Sequence, residues 1–261
     1  MDLGLTDRVY VVTAGSRGLG FATAKALVTN GARVVIASRD QQVLSASVKA
    51  LGGHDVAVGL PSDLAHPETA ERLTATAFAR YGRLDGALIS TGGPAPGNIL
   101  TTTDDEWREA FEAIFLGSIR VARAVAAGIG QPTADVSGTG GAMLFVLSTS
   151  VREPVPGLPT SNVIRPGLAA AIKELADSLG PRGIRVNGVM PGRFATDRTF
   201  ALDARSGTPE RTRHRNETTI PLGRYGEPGE FGNLAAFLLS PIASYVTGSV
   251  IAADGGSMRS I

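Results

Sequence analysis

The chain contains no cysteine, which excludes disulfides, thiolate metal sites and a cysteine nucleophile. Its three histidines, His54, His66 and His214, are too scattered for zinc-type spacing, so no metal site is expected. Lysine plus arginine number 25 against 24 acidic residues, a formal net charge of +1. That balance gives no global drive toward nucleic acid or an anionic membrane, and any anion site must be local. No run approaches the roughly 20 apolar residues of a membrane span. The opening MDLGLTDRVYVVTAG shows no basic region followed by an apolar one, so no secretory signal is visible. No Gly/Ser-rich or charge-rich tract splits the 261 residues. The expectation is a cytoplasmic protein made of one domain over residues 1–261, with a small-molecule ligand and neither nucleic acid nor membrane as partner.

Glycine, by contrast, is abundant at 33 residues, and with no linker to absorb it, it must serve turns and close backbone approaches. An apolar fraction of 43% supports a sizeable core. Short apolar runs alternate with helical patterns. Strands are predicted at 8–13, 33–37, 87–90, 143–147, 185–189 and 250–252, and helices at 21–29, from the turn after 37 through Lys49, and at 68–81. Continuous apolar strands are the mark of burial on both faces, so the fold class is α/β, a Rossmann-type doubly wound parallel sheet with helices on both faces. Ligands in such sheets lie beyond the carboxyl ends of the strands. The polar segment between Gly128 and Gly141 reads as a surface loop. The irregular region 194–225, with Arg205, Arg211, Arg213 and Arg215 near its middle, reads either as a substrate lid or as a solvated charged helix.

The first strand runs into Thr13-Ala14-Gly15-Ser16-Arg17-Gly18-Leu19-Gly20 and then a helix. Glycines in that context let backbone N–H groups approach a pyrophosphate at the helix N-terminus. The second strand ends Ala37-Ser38-Arg39, where a carboxylate would suit the ribose 2′-hydroxyl of NAD and an arginine suits a 2′-phosphate. With Arg17 as a second cation, NADP(H) is the expected cofactor. The alternative is that Arg39 is a surface residue and Asp40 takes the ribose.

These segments resemble the short-chain dehydrogenase/reductase family, in particular its 3-oxoacyl-carrier-protein reductase-like members, over essentially the whole chain. TAGSRGLG resembles TGxxxGxG with the order of Ala14 and Gly15 inverted. Asp63-Leu64 resembles the acidic-apolar pair beside the adenine, and Thr91-Gly92-Gly93 stands where the family has Asn-Ala-Gly. Pro191-Gly192 with Thr196 resembles the PGxxxT stretch that holds the nicotinamide carboxamide. PLGRYGEPGEF and SYVTGSVIAADGG resemble the C-terminal region, whose last strand commonly joins a dimer interface. The resemblance implies a homodimer or homotetramer packed through helices around 107–127 and 168–179.

The family's chemistry rests on Asn, Ser, Tyr and Lys. Its YxxxK pair falls here on Ser161 and Arg165, its serine on Ser148 with Ser150 a nearby alternative, and its asparagine on Ile114, seven residues past Trp107. A serine hydroxyl is far less acidic than the tyrosine reference near ~10, and arginine does not relay protons as lysine can. Neither Tyr225, beyond the lid region, nor Asn162 replaces that acid; Asn162 can orient a substrate or simply turn the chain. The candidate catalytic residues are Ser148, Ser161, Asn162 and Arg165. Three functions stay open: hydride transfer to a carbonyl, iminium or conjugated alkene, a non-redox isomerisation, cyclisation or elimination, and a catalytically silent binding role.

Overall fold

Val9–Val12 form β1, and all four side chains are buried although neighbours along the strand point to opposite faces. Val9 and Val11 enter one core, Tyr10 and Val12 the other, so helices must cover both sides of the sheet. The computed structural model describes residues 2–130 and 140–260, and most of the loop predicted between Gly128 and Gly141 lies outside the described residues. From β1 the chain passes into α1 (Gly18–Thr29), β2 (Arg33–Ser38), α2 (Gln41–Leu51), β3 (Ala57–Pro61), α3 (Thr69–Tyr81) and β4 (Gly86–Ile89). It continues through α4 (Asp104–Ala110), a π-helical segment (Phe111–Leu116) and α5 (Gly117–Gly128) to β5 (Gly141–Val146), then α6 (Pro159–Leu179) and β6 (Ile184–Pro191). The last elements are α7 (Asp197–Ala204), α8 (Pro209–Glu217), α9 (Pro228–Leu239) and β7 (Val250–Ala253).

The strands form a seven-stranded parallel sheet in the order β3-β2-β1-β4-β5-β6-β7. The order reverses between β1 and β4, which puts the crevice of a doubly wound fold above their carboxyl ends. Residues of α3, α5 and α6 fill one core, and those of α1, α2 and α9 the other. No helix among the described residues is long and apolar enough to cross a membrane.

Three expectations are corrected. Strand β3 was not predicted, because Gly59 and Pro61 break its apolar run; as an edge strand it tolerates both. Helix α1 begins at Gly18 rather than Phe21, inside the glycine turn, and α6 begins at Pro159, well before Leu168, with Pro166 in its interior. That proline has no N–H to offer the Asn162 carbonyl one turn back.

At the amino edge of the sheet Asp85 is buried and fully engaged. It pairs with Arg8 at 3.0 Å and Arg83 at 2.6 Å and accepts the Val9 N–H at 2.9 Å. The hydrogen bond from Arg83 to this carboxylate raises the arginine's pKa.

Candidate active site at the carboxyl edge of the sheet

The turn after β1 carries the tightest backbone packing in this region. A β-carbon on Gly20 would collide with the Ala14 carbonyl, and one on Gly15 would stand 2.7 Å from the Val12 carbonyl and 2.9 Å from Ile36 Cβ. Gly18 (φ +56°) and, less usually, Ala14 (φ +49°) occupy the left-handed region. Helix α1 starts directly from this turn with no side chain capping it and no acidic residue in its first turn. Its first N–H groups therefore have no side-chain cap to answer them. Leu19 is half-buried at that start. The Thr196 methyl would lie 3.8 Å from a β-carbon at Gly18, so the loop after β6 closes over the turn.

Thr13 and Ser16 serve the scaffold. The Thr13 hydroxyl donates to the Ser90 carbonyl and accepts the Ser90 N–H, both at 2.7 Å, and locks the ends of β1 and β4 together. Ser16 is buried, and its carbonyl accepts from the Ser47 hydroxyl at 2.9 Å. Arg17 and Arg39 are exposed, Ser38 ends β2, and among the described residues neither arginine has an acidic partner within ion-pair distance. Asp40, the alternative ribose ligand, caps α2 by accepting the N–H groups of Gln42 and Val43. Asp63 accepts the Ala65 N–H at 3.0 Å, and Leu64 packs by its backbone against Gly117. Gly192 donates to the Ala253 carbonyl, and a β-carbon there would come within 2.7 Å of Asp254, so Pro191-Gly192 is pressed against the end of β7.

Helix α6 brings Ser161 and Arg165 under the ends of β4 and β5. The Ser161 hydroxyl is buried and lies 3.0 Å from that of Ser150, making Ser150 rather than Ser148 its partner. Ser148 is half-buried and accepts the Ser150 N–H at 3.1 Å, capping the short turn that follows β5. Arg165 is only 5% exposed and donates to the Val146 carbonyl at 2.8 Å and the Gly92 carbonyl at 2.6 Å. Burial, reinforced by Arg198, pushes its pKa down to about 10, still cationic at neutral pH. The Asn162 amide is turned away, its oxygen accepting the Val155 N–H and its nitrogen donating to the Val155 carbonyl, both at 2.9 Å. It anchors the 152–158 loop. Ile114 is buried in the π-helical segment, and its carbonyl accepts from the Ser118 hydroxyl at 2.7 Å.

The loop after β4 forms a second wall. Thr91 is half-buried, Gly92 has φ +71°, and Gly97 donates to the Gly157 carbonyl at 2.9 Å, joining this wall to the 152–158 loop. The space beside Gly93 is filled by the Arg198 guanidinium, which donates to the Pro94 carbonyl at 2.8 Å. Sequence reasoning missed Arg198. Its only signal was a position two residues past Thr196 in the first turn of α7.

Region 194–225 folds as α7 and α8 and is closed at its base by the Phe194–Gly226 bridge. Buried Asp203 holds it together, accepting from Arg193, Asn216 and Tyr225 at 3.3, 3.2 and 2.9 Å. Burial and the bond to Asp203 raise the pKa of Tyr225, although the Asn216 contact opposes them, and this tyrosine serves the lid. Helix α8 has no buried residue and ties down Arg213 with Glu217, as a solvated charged helix does. The other tyrosines stand in β1 (Tyr10), at the end of α3 (Tyr81) and fully exposed after α9 (Tyr245), while Lys25, Lys49 and Lys173 are exposed on outer helix faces.

A family model described as enoyl-(acyl carrier protein) reductase matches residues 13–258. The human protein named Dehydrogenase/reductase SDR family member 4 is 33% identical over 258 residues, covering 97% of this chain and 88% of its own. The chain belongs to the short-chain dehydrogenase/reductase family. Among solved members of similar fold, L-sorbose reductase from Gluconobacter frateurii, complexed with NADPH and L-sorbose, superposes with a TM-score of 0.92 at 25% identity over 100% of both chains. YwfH, an NADPH dependent reductase involved in bacilysin biosynthesis, gives a TM-score of 0.89 at 26% identity over 97% of this chain and 99% of its own. As a member of this family the chain is an oxidoreductase, and its glycine turn, β4 loop and β6 loop meet where the fold binds its ligand.

Proposed function

We propose that the protein is an NADP(H)-dependent reductase that transfers hydride to a carbonyl, iminium or conjugated alkene of a small molecule, without the family's tyrosine–lysine pair. The observation that carries this reading is the uncapped N-terminus of α1, bracketed by Gly15 and Gly20, with Thr196 lying over Gly18. Its donors fit a pyrophosphate. Arg17 and Arg39, exposed and without acidic partners among the described residues, suit a 2′-phosphate, while Asp40 is engaged as a helix cap. Asp63 and Leu64 would flank the adenine, and Thr91, Gly92, Gly93, Arg165, Pro191 and Gly192 would line the nicotinamide half.

The cofactor, when bound, supplies the hydride. The protein's own share is orientation, water exclusion and electrostatic stabilisation. One hydroxyl of the Ser150–Ser161 pair donates to the other, which leaves a single proton for an acceptor oxygen, and Ser148 stands at the mouth of the same turn. The Arg165 cation favours negative charge as it develops, so an enolate can form first and take its proton from water. An iminium carbon needs no acid, having positive charge already. Asn162 acts at one remove by fixing the 155 loop. The outer faces of the π-helical segment and α6, where Phe111 and Val163 are 45% and 57% exposed, support a homodimer or homotetramer.

Fluorescence titration of the purified protein with NADPH and NADH tests the reading. NADPH is expected to bind the more tightly and to be oxidised by at least one enone, iminium or ketone. Absence of binding by either nucleotide would sink it. NADPH bound but never oxidised would favour the non-redox isomerase, cyclase or lyase reading, or a silent binding role.

A further inference from the structure

Most arginines whose side chains contact the body of this protein meet a carboxylate or a helix end. Arg8 and Arg83 share Asp85, Arg120 pairs with Glu112, and Arg193 with Asp203. Others meet only carbonyls, but at helix C-termini. Arg182 donates to Ala126 and Ile129 at the end of α5, and Arg185 to Leu238 and Ser240 at the end of α9. The negative end of the helix dipole compensates them.

Arg165 and Arg198 fit neither pattern. Their carbonyl partners, Val146, Gly92 and Pro94, belong to a strand end and a loop. No carboxylate stands within ion-pair distance of either among the described residues. Gly92 and Pro94 are two residues apart, so the two guanidinium groups flank one short stretch of loop, and Arg198 weakens the hold of Arg165 on its proton. Arg198 also sits in the first turn of α7, next to the positive end of its own helix dipole. Two like charges held together in partly desolvated surroundings raise the free energy of the folded protein unless an anion completes the cluster. The Arg198 head lies over Gly93, in space that a β-carbon there would make it give up.

We infer that this pair is a carboxylate-recognition site, and that the substrate is an oxo or conjugated acid whose carboxylate is held by Arg198, with buried Arg165 supplying fixed positive potential behind it. The inference rests on the reductase reading for the reaction, though not for the binding. Hydride passes from NADPH to the electrophilic carbon, a proton from water completes the product, NADPH becomes NADP⁺, and the carboxylate is unchanged. Arg198 retains solvent exposure and is the group able to touch the ligand. Its planar fork matches a carboxylate bidentately.

Calorimetric titration with levulinate and benzoylpropionate, each beside its methyl ester, tests this on the protein alone and on its NADP⁺ complex. At least one acid is expected to bind about tenfold or more tighter than its ester. Arg198→Ala should abolish that preference without lowering the thermal midpoint, Arg198→Lys should restore part of it, and both variants should keep the wild-type NADPH affinity. Equal affinity for acids and esters in the wild type would overturn the inference. So would an Arg198→Ala protein that keeps the acid preference but loses NADPH affinity, because the anion would then be a cofactor phosphate. A wild type that binds no nucleotide but still prefers the acids in an Arg198-dependent way would keep the anion site and overturn the reductase reading alone.

Discussion

Two buried sites at opposite edges of the sheet treat positive charge in opposite ways. At the amino edge, Asp85 gathers Arg8, Arg83 and the Val9 N–H around one shared carboxylate. Across the sheet, at the carboxyl edge, Arg165 is at least as buried and has only backbone carbonyls, with a second arginine beside it. Stability alone explains the first arrangement. It does not explain the second, because a buried cation held only by neutral dipoles loses much of its hydration without a countercharge. Paired charge marks where the fold is fastened, and unpaired charge marks where it is left open to a ligand.

Breaking the fastened edge should have the largest effect. Asp85→Ala leaves two arginines and a strand N–H without their shared acceptor and should lower stability by about 3 kcal/mol, read from urea unfolding midpoints. Arg165→Met removes an uncompensated charge together with two hydrogen bonds, and these oppose each other. Its stability change should stay under about 1.5 kcal/mol, while reductase turnover falls by about a hundredfold. A larger stability loss for Arg165→Met than for Asp85→Ala would erase the contrast between the edges.

The pair Ser161→Tyr with Arg165→Lys sharpens the same comparison. Ser161 is 2% exposed and its hydroxyl meets Ser150, so tyrosine must displace its neighbours at a cost of about 1–3 kcal/mol. Ketone reduction appearing in that variant would show that a general acid was the missing element. Continued inertness in a folded, NADPH-binding variant would remove Ser161 from the catalytic position.

A smaller effect concerns pH. Arg165 has a folded pKa pushed down to about 10, below the usual arginine value, so the penalty for its charged form is fully present below that pH and is relieved as pH rises through it. Carboxylate binding should therefore not change through Arg165 between about pH 6 and 9, as calorimetry across that range would report. Glu153 gives the smallest effect. It accepts the N–H groups of Arg259 and Ser260 at 2.8 Å each, which hold its pKa below the ordinary carboxylate range. The clasp should be intact above the ordinary carboxylate pKa and open as pH falls through the depressed value, seen as loss of amide protection at Arg259 and Ser260.

The core of the fold was legible because its strands are continuous apolar runs, and Val9–Val12 or Ala142–Val146 could hardly sit anywhere but between two layers. β3 was not, since AVGLP at an edge lacks that signature. The phosphate turn was legible from its glycines and their strand–helix context. The positions of Ser161 and Arg165 followed from counting, but their partners did not. Ser150 is eleven residues from Ser161, and Arg198 lies 104 residues from Pro94, so only the folded chain reveals either contact. Asn162 carried no hint that its amide would close on Val155.

The glycine turn restricts the order in which substitutions could accumulate there. Ala14 sits at φ +49°, and Ala14→Gly should relieve about 1 kcal/mol, whereas alanine at position 15 would run into Val12 and Ile36. The family's Gly-Ala order therefore needs a change at position 36 as well, because alanine at 15 meets the Ile36 side chain whichever residue stands at 14. The residue at 15 is thus chosen by a neighbouring strand rather than by the ligand.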